Sequence, residues 1–136
     1  MKTMRSKQTV LALALGLACN LALADWTKVA TTEDGKISQY ADAATLRPTG
    51  SGVQLRTLTD YQDAQDISAG KTFKSVVLLD EFNCKDGSGR HLSLIAKSGN
   101  MGEGSTVAEE KLPAPVRQIR EGSADADMLK FACAKN

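Results

Sequence analysis

Apolar and polar positions along this chain follow a period of two for most of its length and a helical period only near the end. VQLRTLTDY sets Val53, Leu55 and Thr57 against Gln54, Arg56 and Leu58, the alternation of a half-buried strand. TFKSVVLLDEFNC follows, rich in Val, Phe and Leu and long enough for a central strand, and KDGSG turns it into a further strand, RHLSLIAKSG. Upstream, DWTKVA reads as a short strand and EDGKISQYAD as its hairpin partner, with an Asp34-Gly35 turn signal at its head and a turn-like RPTGSG after it. DYQDAQD reads as a polar loop, GNMGEG as a flexible connection and STVAEE as a last short strand. The pattern predicts a meander of about six antiparallel strands.

Beyond Pro113 and Pro115 the period changes. Ser123 is a good N-cap, Asp125 and Asp127 fall in a first turn where the helix dipole favours anions, and ADADMLKFACAK is made of good helix formers. Ala124, Met128, Phe131 and Ala132 recur at i, i+4, i+7 and i+8 and predict an apolar stripe. The expected fold is α+β: a single antiparallel sheet with a C-terminal helix packed on one face, the other face meeting solvent or a partner.

The first residues fit neither pattern. MKTMRSKQ carries Lys2, Arg5 and Lys7 and is followed by the uncharged TVLALALGLA, a basic region feeding a short apolar one, as in a secretory signal peptide. Two cleavage readings stay open. Ala22-Leu23-Ala24 places small residues where a signal peptidase inspects them, giving a signal peptide over 1–24 and a domain over 25–136. Gly16-Leu17-Ala18-Cys19 resembles a lipobox, which would make Cys19 an acylated first residue and the protein membrane-anchored. The first reading ranks higher because Gly16 stands where such boxes prefer Leu.

Removing residues 1–24 leaves 112, enough for one domain, and it changes the charge. Three of the 17 basic residues and none of the 16 acidic ones lie in that segment, so 14 basic residues face 16 acidic ones, a formal charge of −2 instead of +1. No basic face for nucleic acid is indicated. Cys84 and Cys133 remain as an even pair in an exported chain, which reads as a disulfide tying the helix to the end of the most apolar strand.

Motifs for catalysis or cofactors are missing from the sequence. His91 is the single histidine and sits beside Arg90 at a predicted strand start, an ordinary place for a surface histidine. There is no Gly-x-Ser-x-Gly elbow, P-loop, dinucleotide fingerprint or His-Glu-x-x-His. A non-enzymatic protein without a cofactor is expected. Asp60, Asp63 and Asp66 raise the question of calcium, yet they lack the alternate-residue spacing and closing Glu of an EF-hand loop, so no metal site is assigned. Lys111, Arg117 and Arg120, interleaved with Val116 and Ile119, form a candidate binding surface for an acidic matrix or polyanion. Unpaired sheet edges and an open face also suit self-association as a homodimer.

The order of these features resembles the surface-adhesin protein E family of exported bacterial proteins over essentially the whole mature chain. The resemblance rests on Trp26, on QYADAATLRPTG with Tyr40 and Asp42, on Leu55, on Ser75 in FKS, on EFNC ending in Cys84, on Arg90, and on GSADADMLKFAC ending in Cys133. Val116 and Glu121 stand where the family often has Trp and Pro. The resemblance implies a twisted antiparallel sheet with a bridged helix. It also implies a place in the periplasm or on the outer-membrane surface of a Gram-negative bacterium, and adhesion to host extracellular matrix protein by some members. The expected function is an adhesin-like envelope protein with a macromolecular partner, with a periplasmic structural or accessory protein as the alternative.

Overall fold

The computed structural model describes residues 24–111 and 113–134; the signal-like segment up to residue 23, with Cys19, lies outside them. Strands β1 (Trp26–Thr31), β2 (Ile37–Pro48), β3 (Val53–Asp66), β4 (Thr72–Asn83), β5 (Ser88–Lys97) and β6 (Thr106–Lys111) lie side by side in chain order, every pair antiparallel. The six expected strands are present in the expected order. A two-residue β7 (Arg117–Gln118) adds to them by pairing with Ser88 and Gly89 of β5.

The alternation in β3 sends Val53, Leu55 and Thr57 to one face and Arg56 and Leu58 to the other. Val53, Leu55 and Leu58 are all fully buried, so this strand contributes to both sides. Helix α1 (Ala124–Ala134) covers the first face. There Val53, Leu55, Phe82 and Ala41 pack with Ile119 and with Ala126, Met128 and Ala132 of the helix. Gly52 is required next to this core because a Cβ at that position would stand 1.8 Å from the Phe82 carbonyl oxygen.

Three local expectations are corrected. DYQDAQD is not a loop: β3 continues to Asp66, with Tyr61 opposite Ile37 on β2 and Gln65 opposite Phe73 on β4. Pairing to two neighbours holds this polar segment extended where its composition alone would not. GNMGEG is not a loose connection either. The hydroxyl of fully buried Ser75 donates to the Gly99 carbonyl at 2.6 Å and accepts from the Gly102 N–H at 2.9 Å, while Asp60 Oδ1 accepts from the Met101 N–H at 2.7 Å. The loop is thereby folded down over Leu58 and Val77, which approach the Cα of Gly102 so closely that an added Cβ would lie 3.2 and 3.3 Å from them.

The third correction concerns the helix stripe. Ser123 caps as expected, its Oγ accepting from the Ala126 N–H at 3.1 Å, and Met128 and Ala132 are buried with Phe131 packed against the core as expected, but Ala124 is only half-buried and Ala126 is buried in its place. The cause is the tether. Cys133 is bonded to Cys84 with Cα atoms 5.7 Å apart, and residues seven and four positions before an anchored helical residue share its face, which turns Ala126 and Leu129 inward.

Candidate functional site: a half-covered sheet face

An 11-residue helix is about 16 Å long, whereas the 14 residues of β3 extend for roughly 46 Å. The helix therefore closes only the end of the face that carries the disulfide. Toward the β1–β2 and β3–β4 turns the same face stays open as a groove of about 480 Å³. Its floor is apolar: Tyr61, Phe73, Val76, Leu78 and Leu94, with Met128 of the helix as a wall. Tyr61 and Phe73 meet edge-on, their ring centroids 5.6 Å apart, and burial raises the Tyr61 phenol above its ordinary pKa.

Where the groove meets the helix N-terminus the floor becomes polar. Asp80, 6% exposed, accepts from the Thr57 hydroxyl at 2.6 Å and pairs with His91 Nδ1 at 2.5 Å. The hydrogen bond that His91 donates to Asp80 holds the His91 pKa above its ordinary 6.5, partly offset by burial. A carboxylate inside a sheet otherwise made of Val, Leu and Phe is satisfied in this way. The three side chains do not make a nucleophilic triad, because Thr57 donates to the carboxylate instead of to the imidazole.

Asp125, in the first turn of the helix, accepts from Gln39 Nε2 at 3.3 Å and from Arg117 at 2.9 Å. These two contacts hold the free end of the helix to the sheet. Gln39 Oε1 is buried without a partner among the described residues, an omission that costs about 1–3 kcal/mol. The helix N-terminus is thus held more weakly than its disulfide-bonded end.

The structure scatters the residues singled out from sequence. His91 is not a free surface histidine but the half-buried partner of Asp80. Asp60 serves the 99–102 loop, Asp63 pairs with Lys36 at 3.5 Å, and Asp66 ends β3; among the described residues no group of three or more His, Cys, Asp or Glu is placed to hold a metal ion. The basic trio does not converge. Lys111 pairs in register with Ser93, and Ser93 with Leu79 and Leu79 with Arg56, so Lys111 falls on the face away from the helix. Arg117 is on the helix side and committed to Asp125, and Arg120 lies beyond β7.

Asp80 and Gln39 were not singled out, and Asp125 only as a first-turn acid of the helix. One signal pointed to Asp80: a lone carboxylate at an inward position of the most apolar strand has to be paired. Nothing in the sequence pointed to Gln39, whose role depends on where the helix ends.

The residues that carried the family resemblance build the frame. Leu55 is core, Ser75 anchors the loop, and Arg90 binds Glu81 through Nε at 3.0 Å and Nη2 at 2.9 Å. On the face away from the helix, the Arg56 guanidinium lies 5.4 Å from the centre of the Trp26 ring and Lys28 Nζ 5.6 Å from that of Tyr40. Asp42, 5% exposed, stands in register between Trp26 and Arg56.

Fold and site together define a small sheet domain, stapled to a helix at one end and presenting an open surface at the other. The chain belongs to the surface-adhesin protein E family, whose model matches residues 26–134. Two solved structures of Haemophilus influenzae protein E share the fold. One superposes with a TM-score of 0.63, covering 83% of this chain and 89% of its own. The other, crystal form II, has a TM-score of 0.64 and covers 83% and 93%. Each is 12% identical in sequence, so the likeness is one of fold. Among curated proteins none matches. Among the described residues no helix is long and apolar enough to cross a membrane.

Proposed function

We propose that this protein is an exported, non-enzymatic envelope protein that works as an adhesin, binding a macromolecular partner such as a host extracellular matrix protein. Family membership is the observation that carries the reading. The half-covered face supports it, since apolar surface left open on an otherwise well-packed sheet marks an interaction site. On this reading residues 1–24 are a removed signal peptide, and the groove rather than a catalytic centre is the working part of the molecule.

Two experiments test it. Protease applied to intact cells should remove a surface adhesin and spare a periplasmic resident; survival of the protein in the shaved cells would favour the structural or accessory role. Intact mass of the exported protein should match Asp25 to Asn136 with one disulfide. A mass beginning at an acylated Cys19 would replace the soluble form with a lipid-anchored one.

A further inference from the structure

The charges around the groove state what its occupant has to look like. Three cations in or beside it are paired with carboxylates: Arg117 with Asp125, Lys36 with Asp63 and His91 with Asp80. The acids toward its two ends form no ion pair among the described residues, although the Lys36 charge also acts on Asp34. At one end the groove runs on through Thr32 and Ile37 into a hollow walled by Glu33 and Asp34 in the β1–β2 turn. Asp34 is held ionised there, its carboxyl kept below the usual carboxylate range first by the Thr32 hydroxyl at 2.7 Å and then by the Lys36 N–H at 3.0 Å. Beyond the other end, just outside the lining, Glu110 of β6 stands directly across from Leu94 and shares its face. Among the described residues neither Glu33, Asp34 nor Glu110 forms an ion pair.

Four strand spacings, about 19 Å, separate β2 from β6, and the register through Leu94, Leu78 and Thr57 sets Glu110 level with Ala41, four residues or about 13 Å along β2 from Ile37, so the two ends lie at least about 23 Å apart. A compact amphiphile lying on Leu78 would not touch both acidic ends. An extended peptide gains about 3.3–3.6 Å per residue, so roughly seven residues make the crossing. We propose that the groove docks an extended polypeptide segment of about this length, with an aromatic or large aliphatic anchor near its middle and Lys or Arg toward each end. The anchor lies over Val76, Leu78 and Leu94, beside the Tyr61–Phe73 pair, and the flanking cations meet Glu33 and Asp34 on one side and Glu110 on the other. This inference rests on the partner-binding reading above, and it names the chemistry of the partner and the surface it uses.

The test is a titration of the oxidised, signal-free protein with a seven-residue probe peptide carrying Trp at its centre and Arg at both ends, followed by amide chemical shifts. The expected result is saturable binding with shifts at Tyr61, Val76, Leu94 and Met128. Binding should weaken about tenfold when the probe's Trp is replaced by Ala, when its arginines are replaced by Glu, or when Glu33→Lys and Glu110→Lys are combined in the protein. Both of those sites are exposed, so the double variant folds, and Phe73→Ser supplies a separate test of the apolar floor. The inference is overturned by no saturable binding at millimolar probe, by equal binding of the Glu-flanked peptide, or by shifts confined to the Trp26–Arg56 face. A matrix protein bound equally well by wild type and by the double variant would sink the groove assignment and leave the adhesin reading standing. Probe binding in the groove without retention of any matrix protein would do the reverse.

Discussion

The two ends of the helix-side face are made from the same strands and have opposite characters. At the disulfide end Val53, Leu55, Phe82, Ile119, Met128 and Ala132 exclude water and each other's alternatives. At the far end the same β3 and β4 carry Tyr61, Phe73 and Leu78 that are only half-buried, with Thr57, Asp80 and His91 marking the change from one regime to the other. Helix length decides where that change falls. One end is closed over a core that holds the fold together, and the other is left open.

The largest break in this contrast comes from the staple. Replacing Cys84 and Cys133 with Ala, or reducing the bond, should remove about 4 kcal/mol for a loop of 49 residues, read from the shift of the denaturant midpoint. Cys84 is exposed, so reductant should reach it in the folded protein.

Next come paired truncations. Leu55→Ala removes a fully buried side chain and should cost about 3 kcal/mol, whereas Leu94→Ala in the groove should cost less than about 1. Equal costs would erase the distinction between the two ends. At the boundary, Thr57→Val takes a hydrogen bond from buried Asp80 and should cost about 1–2 kcal/mol by chemical denaturation.

The smallest effect is one of pH. Because the folded His91 pKa lies above 6.5, the imidazolium contributes stability that is fully present below 6.5 and is lost as pH rises through the folded value. Urea midpoints on either side of 6.5 should decline with pH in the wild type and lose that component in Asp80→Asn and in His91→Gln. An NMR titration of Asp80→Asn should show the His91 pKa moving back down.

Much of this fold can be read from the order of residues because its determinants are local. Period-two alternation marks the strands, Ser123 and the two aspartates mark the helix start, and an even pair of cysteines after a signal-like start marks the bond. The misreadings share one origin, which is that their determinants lie on other strands. Tyr61 to Asp66 carry no alternation and are extended because Tyr61 pairs with Ile37 of β2 at one end and Gln65 and Asp66 pair with Phe73 and Thr72 of β4 at the other. The 99–102 loop is ordered by Ser75 and Asp60, more than twenty residues away. His91 meets Asp80 through a register shift between Leu79 and Asp80 that no single-strand pattern displays. The groove itself was invisible in sequence because it depends on a subtraction, strand length less helix length, and on a tether that fixes which end is covered.

The most direct test of a face closed at one end and open at the other is methyl NMR of the oxidised protein with a neutral, soluble paramagnetic agent. Broadening should be strong for Ile37, Leu78 and Leu94 and weak for Val53, Leu55 and Met128. Equal protection of both sets would mean that the helix or its flanking segments cover the whole face, and the open groove would have to be abandoned.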